Sequence, residues 1–213
     1  MAIDVSRETF RAALDSGLTE LGLSLSEEVL QKSADLYALL LEWNRVHNLT
    51  RISDPVEAAH RHFVESWASL LLPGLFDGVS SVADIGSGAG FPGLPLALAR
   101  PDTSFTLVEK APKKAAYLSF AAASLKMENI SIRCADARRL SDRFDLVTFR
   151  ALTSDDRFVG EMTPLLSPGG RLLLFLGPSQ KIPSGLTGHE RTIILSGKKT
   201  RFALLSIAST RSR

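Results

Sequence analysis

The sequence predicts an α/β protein in which a mostly parallel sheet is wrapped by helices, closed by an antiparallel hairpin and preceded by a helical extension. Three observations predict it. Beyond Pro73 and Gly74, short apolar runs alternate with helical windows, the pattern of successive strand–helix units. The last two apolar runs, Arg191 to Leu195 and Phe202 to Ile207, flank a Gly197-Lys198-Lys199 turn and read as a hairpin. Before residue 75 the apolar period is helical throughout. The division expected is therefore a helical extension over 1–74 and a sheet domain over 75–213.

Three helices come first. Ser26 suits the N-cap of a helix reaching about Asn44, in which Leu30, Ala34, Tyr37 and Leu41 recur at spacings of four, three and four and form one apolar stripe. Asp54, Pro55 and Glu57 start another, as N-cap, first helical residue and reciprocal capping partner. Ala59, Phe63, Trp67 and Leu70 or Leu71 would make its buried face. Strand and helix then follow in turn. Strand Ser81 to Ile85 leads to helix Gly93 to Ala99, and strand Phe105 to Glu109 to helix Lys113 to Leu125. Strand Ile130 to Cys134 leads to a short turn, strand Asp145 to Phe149 to helix Asp155 to Leu166, and strand Arg171 to Leu176 precedes the hairpin.

The stretch VADIGSGAGFPG, Val82 to Gly93, places an acid, four glycines and a proline where a buried strand turns into a helix. Gly86, Gly88, Gly90 and Gly93 permit positive φ and close backbone approach to a ligand. Gly88, Gly90 and Gly93 also satisfy the G-x-G-x-x-G spacing of a dinucleotide turn, so the glycines alone leave the cofactor open. Asp84 helps to decide between them. A carboxylate two residues before the first glycine would repel a pyrophosphate, whereas it suits the α-ammonium of S-adenosylmethionine. Glu109, 19 residues after Gly90, would accept the ribose hydroxyls, a device that NAD enzymes share. A terminal hairpin on an otherwise parallel sheet belongs to class I methyltransferases and not to dinucleotide Rossmann domains. The expected fold is thus Rossmann-like and seven-stranded.

Composition sets outer bounds. At 213 residues, 45% hydrophobic and 23% charged, the chain is ordinary for a globular protein. Without an apolar run of about 18 residues or a hydrophobic signal core in MAIDVSRETF, neither membrane insertion nor export is expected, and the protein is placed in the cytoplasm as a monomer. The single cysteine, Cys134, excludes an internal disulfide and reads as a small buried strand residue. Net charge is only +2, yet the pI near 8.8 and the pairs Arg138–Arg139, Lys198–Lys199 and Arg211–Arg213 leave room for a polyanion.

Ligands of an open parallel sheet bind beyond the carboxyl ends of its strands. The residues there include Asp84 to Gly90, Glu109 with Lys110, Asp136 to Arg138, and Phe149 to Leu152. Asp136 faces the adenine edge in one reading and caps the next turn in another. The segment Phe149-Arg150-Ala151-Leu152 lacks the Asn or Asp followed by Pro-Pro-aromatic that serves exocyclic amine methylation. Cys134 lacks the active-site loop that pyrimidine carbon methylation requires. A ring nitrogen such as guanine N7 already presents its lone pair, so in-line positioning matters more than a base. No catalytic base is expected, and Arg150 is the nearest candidate for a role at the reacting centre, holding a carboxylate, a phosphate or guanine O6, or pairing with Asp84 or Asp145. His60 and His62, two apart on a helix, point about 200° from each other and cannot share a metal. Asp155 and Asp156 fit an acidic first turn as well as a cation site. No metal is expected. Lys113, Lys114 and Arg139, with Arg61 and His62, are the candidate phosphate contacts.

WNRVHNLTRISDP (Trp43 to Pro55), RHFVES (Arg61 to Ser66), DIGSGAGFPGLPLA (Asp84 to Ala97), LVEKAPKKAAYL (Leu107 to Leu118) and FRAL (Phe149 to Leu152) together resemble the bacterial guanine-N7 methyltransferases of small-subunit ribosomal RNA called RsmG or GidB. The resemblance implies S-adenosylmethionine as cofactor and 16S ribosomal RNA of the small subunit as substrate. It implies that Gly86 and Phe91 contact the methyl donor, that Ala137 and Arg138 line the adenine pocket, and that Arg150 lies beside the cofactor; Ser87 is a further candidate cofactor contact in the same loop. Two departures stand out. The family commonly has Arg, a small residue and Glu where this chain has Asp136, Ala137 and Arg138, and Leu-Lys-Gly where it has Phe175, Leu176 and Gly177. A small-molecule methyltransferase, with a closed apolar pocket, and a non-catalytic ribosome-assembly factor are the alternative readings.

Overall fold

The computed structural model describes residues 2–150, 155–177, 179–195 and 197–207, with side chains from residue 6 to residue 206. Ala151, Leu152, Arg211 and Arg213 lie outside the described residues.

Two long helices open the chain, α1 (Ala2–Leu21) and α2 (Glu27–His47). Ser26 caps α2 by accepting from the Val29 N–H, with Glu27 and Glu28 in the first turn. The helix runs past the expected Asn44 to His47, and Asn48 closes it in the left-handed region at φ 47°. Asp54 and Pro55 begin the next helical stretch, the Asp54 carboxylate accepting from the Glu57 N–H. That stretch is not one α-helix. Short α3 (Pro55–Ala58) passes into a π-helical segment, Ala59–Val64, then α4 (Glu65–Ala68) and a 3₁₀ turn, Ser69–Leu71.

A seven-stranded sheet follows, built from β1 (Ser81–Ile85), β2 (Ser104–Val108), β3 (Ile130–Arg133), β4 (Phe144–Phe149), β5 (Leu166–Leu176), β6 (Leu186–Leu195) and β7 (Lys198–Ile207). Its order is β3-β2-β1-β4-β5-β7-β6, with the first five strands parallel and β7 antiparallel to both β5 and β6. The chain thus lays β2 and β3 to one side of β1 and then returns to place β4 on the other. The switch point lies between β1 and β4. Asp145 fastens that seam at its base, accepting from the N–H and hydroxyl groups of Ser80 and Ser81 at 2.8–3.0 Å.

Right-handed crossovers decide which face each helix covers. Those after β1 and β2 carry α5 (Gly93–Ala99) and α6 (Pro112–Ser124), and these share one core with α1, α2 and the π-helical stretch, against Val82, Leu107, Leu146, Leu173 and Phe202. The crossover after β4 runs the other way, so α7 (Asp156–Met162) packs Val159 and Met162 on Ala83, Val147, Leu174 and Ala203. In β5 successive residues alternate between the two cores: Leu172 and Leu174 face α7, Leu173 the opposite face.

Several boundaries differ from expectation. The helix expected to reach Leu166 ends at Met162, because Pro164 favours the 3₁₀ turn Thr163–Leu165. Strand β5 starts at Leu166 rather than Arg171, with a register shift against β4 between Phe144 and Leu146. The hairpin strands are longer than their apolar runs because β6 is a largely exposed edge strand whose polar first half has no apolar signature. Cys134 falls just beyond β3, an edge strand, and is exposed, not buried.

Candidate cofactor and substrate cleft

A cleft of about 1010 Å³ opens at the carboxyl ends of β1, β2, β4 and β5, over the switch point. Its floor is the glycine turn. The N–H groups of Gly86 and Ser87 donate to Val108 O at 2.8 and 3.2 Å, fastening the turn to β2, and the Ser87 hydroxyl donates to Asp84 O. Gly88, at φ 58°, has only Gly86 O, at 3.7 Å, near the position of a Cβ, so that backbone lies open to the cleft. Gly90 and Gly93 serve another purpose. A Cβ on Gly90 would stand 2.3 Å from Leu94, and one on Gly93 2.3 Å from Leu107 and 2.6 Å from the Asp84 carboxylate. Neither glycine lines the cleft; both let α5 pack tightly against the strands. Of the four glycines expected to permit positive φ, Gly86, Gly88 and Gly90 use it and Gly93 does not.

Glu109, just after β2, lines the cleft with each oxygen on a backbone donor, Oε2 on Gly88 N–H and Oε1 on Ala111 N–H. It braces the turn and retains lone pairs toward the cavity. Asp84 lies beneath the turn and is almost wholly buried. Its Oδ2 accepts from the Gly93 N–H at 3.1 Å, while Oδ1 has no partner. Burial pushes this carboxyl up to about 7. Asp136 takes the capping role of its two readings: it accepts from the Arg138 N–H and pairs with the Arg138 guanidinium, which holds its carboxyl well below the usual range. With Ala137 they form one wall; Arg139 is exposed.

The opposite wall comes from the π-helical stretch. Its wide turns bury Ala59, His62, Phe63 and Val64, and the buried run continues through α4 to Ser69. The His62 ring stacks on Phe91 at 4.2 Å and an interplanar angle of 5°, and its Nε2 bonds the Thr50 hydroxyl. Burial, with the neighbouring Arg150 and Arg61, lowers its pKa to about 3, so the imidazole is neutral. Buried, neutral and stacked on Phe91, it packs on the sheet domain instead of standing exposed as the phosphate contact expected of it. Glu65 Oε2 accepts from Arg150 at 2.5 Å and from Arg61 at 3.3 Å, while Oε1 accepts from Thr200. Arg150 thus pairs with neither Asp84 nor Asp145, the two acids expected: Asp145 is taken by the serines and Glu65 reaches the guanidinium first. One Arg150 nitrogen, Nη1, is buried without a partner. Lys110 and Lys114 line the rim and Lys113 is exposed; Phe175 and Leu176 supply an apolar side.

The sequence reading missed Glu65 and Thr200. Arg61 and Glu65 look like an ordinary surface i, i+4 pair, and no local pattern reveals that β4 and β7 deliver Arg150 and Thr200 to the same carboxylate. Among the described residues no group of three or more His, Cys, Asp or Glu side chains could hold a metal ion.

Comparison with known proteins places these features. Residues 29–210 match the family model GidB, rRNA small subunit methyltransferase G. Curated relatives include the ribosomal RNA small subunit methyltransferase G proteins of Sorangium cellulosum, 41% identical over 75% of this chain and 69% of that protein, and of an Anaeromyxobacter species, 41% identical over 79% of each. Among solved structures, the O-methyltransferase TomG from Streptomyces achromogenes, in complex with S-adenosylmethionine, superposes with a TM-score of 0.56 at 14% identity over 87% of this chain and 92% of that one. The mitomycin 7-O-methyltransferase MmcR gives 0.57 at 16% identity over 81% of this chain, which spans 60% of that protein's length. At such identities the likeness is one of fold: the architecture is that of S-adenosylmethionine-dependent methyltransferases.

Proposed function

The chain belongs to the rRNA small subunit methyltransferase G family and is an S-adenosylmethionine-dependent methyltransferase, and from this we propose that it methylates N7 of a guanine in 16S ribosomal RNA of the small subunit. The observation that carries the cofactor site is the pair of unpartnered buried atoms at the switch point, Asp84 Oδ1 and Arg150 Nη1. Asp84 suits an α-ammonium and Arg150 an α-carboxylate, the two charged ends of an amino acid. The open Gly88 backbone admits the ligand, Glu109 offers acceptors to the ribose, and the Ala137 wall meets the adenine. When bound, the cofactor supplies an electrophilic methyl group on a sulfonium.

The chain's own groups favour a ring-nitrogen acceptor. His62 is held neutral with a pKa far below working pH, which makes it a poor proton acceptor. Glu65 and Asp136 each have their oxygens engaged by arginine, hydroxyl or backbone donors. Guanine N7 asks for no proton removal, only for a lone pair held in line with the methyl group. Glu65 fixes Arg150 and the His62–Phe91 stack walls the cleft, so positioning falls to rigid, buried groups. Lys113, Lys114 and Arg139 would meet phosphates as the RNA enters, with Arg61 closest to the buried network. One copy supplies every proposed contact, in keeping with a monomer working in the cytoplasm; among the described residues no helix is long and apolar enough to cross a membrane.

Incubating the protein with radiolabelled S-adenosylmethionine and either 16S ribosomal RNA or assembled small subunits tests the proposal. Label recovered as 7-methylguanosine after digestion is the expected result. Label in any other nucleoside, or in neither substrate, would overturn it.

A further inference from the structure

The WNRVH segment at the end of α2 takes no part in the cofactor cradle, yet it builds an aromatic surface beside the cleft. Trp43 packs against Tyr117 and Phe120 of α6 at 5.7 and 5.3 Å, and against His47 at 5.3 Å. Tyr117 is fully buried and is the contact that joins the helices. Phe120 is left 44% exposed and Val46, three residues after the half-buried Trp43, 74% exposed. Phe120 and Val46 are two of the four exposed large apolar side chains among the described residues.

Charge narrows the partner's chemistry. Lys113 lies four residues before Tyr117 and seven before Phe120, on the same face of α6, and Lys114 lines the cleft. Arg51 is exposed a few residues beyond α2, and across residues 42–52 and 112–124 the single acid is Glu42. From His47 the chain reaches Leu49 and Thr50, both in the cleft wall, within three residues. Aromatic rings interleaved with cations beside a catalytic cleft match the stacking platforms of single-stranded nucleic-acid binders. We propose that Trp43 and Phe120 stack an unpaired base of the RNA strand whose neighbouring guanine occupies the cleft. This rests on the reading that the substrate is RNA.

The test reads stacking separately from methyl transfer. The chain has two tryptophans, and Trp67 is fully buried with its indole N–H on Pro95 O, so a base can quench only Trp43. Titrating an unstructured oligoadenylate of about ten nucleotides should quench the emission saturably, and Trp43→Phe should abolish the quench. Phe120→Ala should weaken binding roughly 5- to 150-fold, the range for one lost base–aromatic stack, while Phe120→Tyr keeps wild-type affinity and both bind S-adenosylmethionine normally. Oligonucleotide binding without quenching, or a Phe120→Ala dissociation constant within twofold of wild type, overturns the platform. So does a change in oligomeric state or in affinity for a ribosomal protein with RNA binding untouched, which would make the patch a protein interface. A wild type that shows the quench yet methylates no ribosomal RNA keeps the platform and defeats the proposed function instead.

Discussion

Asp84 concentrates the residue-scale argument, because a buried carboxylate with one oxygen satisfied by Gly93 and the other by nothing is costly to ionise. Its folded pKa of about 7 stands above the unfolded value of 3.8. The folded protein therefore holds a proton that the unfolded chain has lost between about pH 4 and 7. Asp84's contribution to stability is fully present below that window and is lost as pH rises through it. An incoming ammonium would reverse the preference and expel the proton. Cofactor affinity should rise from pH 6 to 7.5, with close to one proton released near pH 6, and Asp84→Asn should remove both effects. Calorimetry in two buffers of different ionisation enthalpy measures the release; none in the wild type would detach Asp84 from the ammonium. The glycines divide in the same physical way. Gly88→Asp should leave the fold largely intact and abolish cofactor heat, since its side chain would enter open space in the cleft, whereas Gly93→Ala drives a methyl into Leu107 and Asp84 and should cost about 1–3 kcal/mol in chemical denaturation.

At the scale of elements, the helix carrying His62 and Glu65 shows what a sequence declares and what it conceals. Its start was legible, since Asp54 and Pro55 are local chemistry and the Asp54 half of the cap forms as expected, while the Glu57 carboxylate pairs with Lys198. Its π-helical middle was not, because a wide turn is imposed by packing among α1, Phe91 and the sheet rather than by any residue type. Strands buried on both faces announced themselves as apolar runs, while the edge strand β6 did not. Likewise the glycine turn and Glu109 were readable from spacing, but Glu65 became a site residue only when β4 and β7 brought Arg150 and Thr200 to it. The energetic consequence is specific. Glu65→Ala leaves Arg150 buried without its counter-charge and should cost on the order of 3–5 kcal/mol of unfolding free energy. Arg61→Ala, which removes a partly exposed partner, should cost about 1 kcal/mol or less. Equal losses in urea denaturation would show that the network does not centre on Arg150.

Across the whole molecule, the N-terminal helices and one sheet face share a single hydrophobic core, so the wall bearing His62 and Glu65 is held rigidly against the glycine turn. That rigidity suits a reaction governed by placement. The rim carries the cations, and its lysines offer a graded check: neutralising Lys113 and Lys114 together should weaken ribosomal RNA binding and flatten its log–log salt dependence by about 1.4–1.8, with S-adenosylmethionine affinity unchanged. Parallel salt lines for mutant and wild type would remove both lysines from the RNA path. The central claim, that this cleft delivers a methyl group to guanine N7 of the small-subunit RNA, is tested most directly by mapping N7-methylguanine along 16S ribosomal RNA from cells lacking the gene and from the same cells carrying the wild-type or Gly88→Asp gene. One modified guanine that vanishes with the gene, returns with the wild type and stays absent with the mutant is the predicted result; an identical map in all of the strains would contradict it.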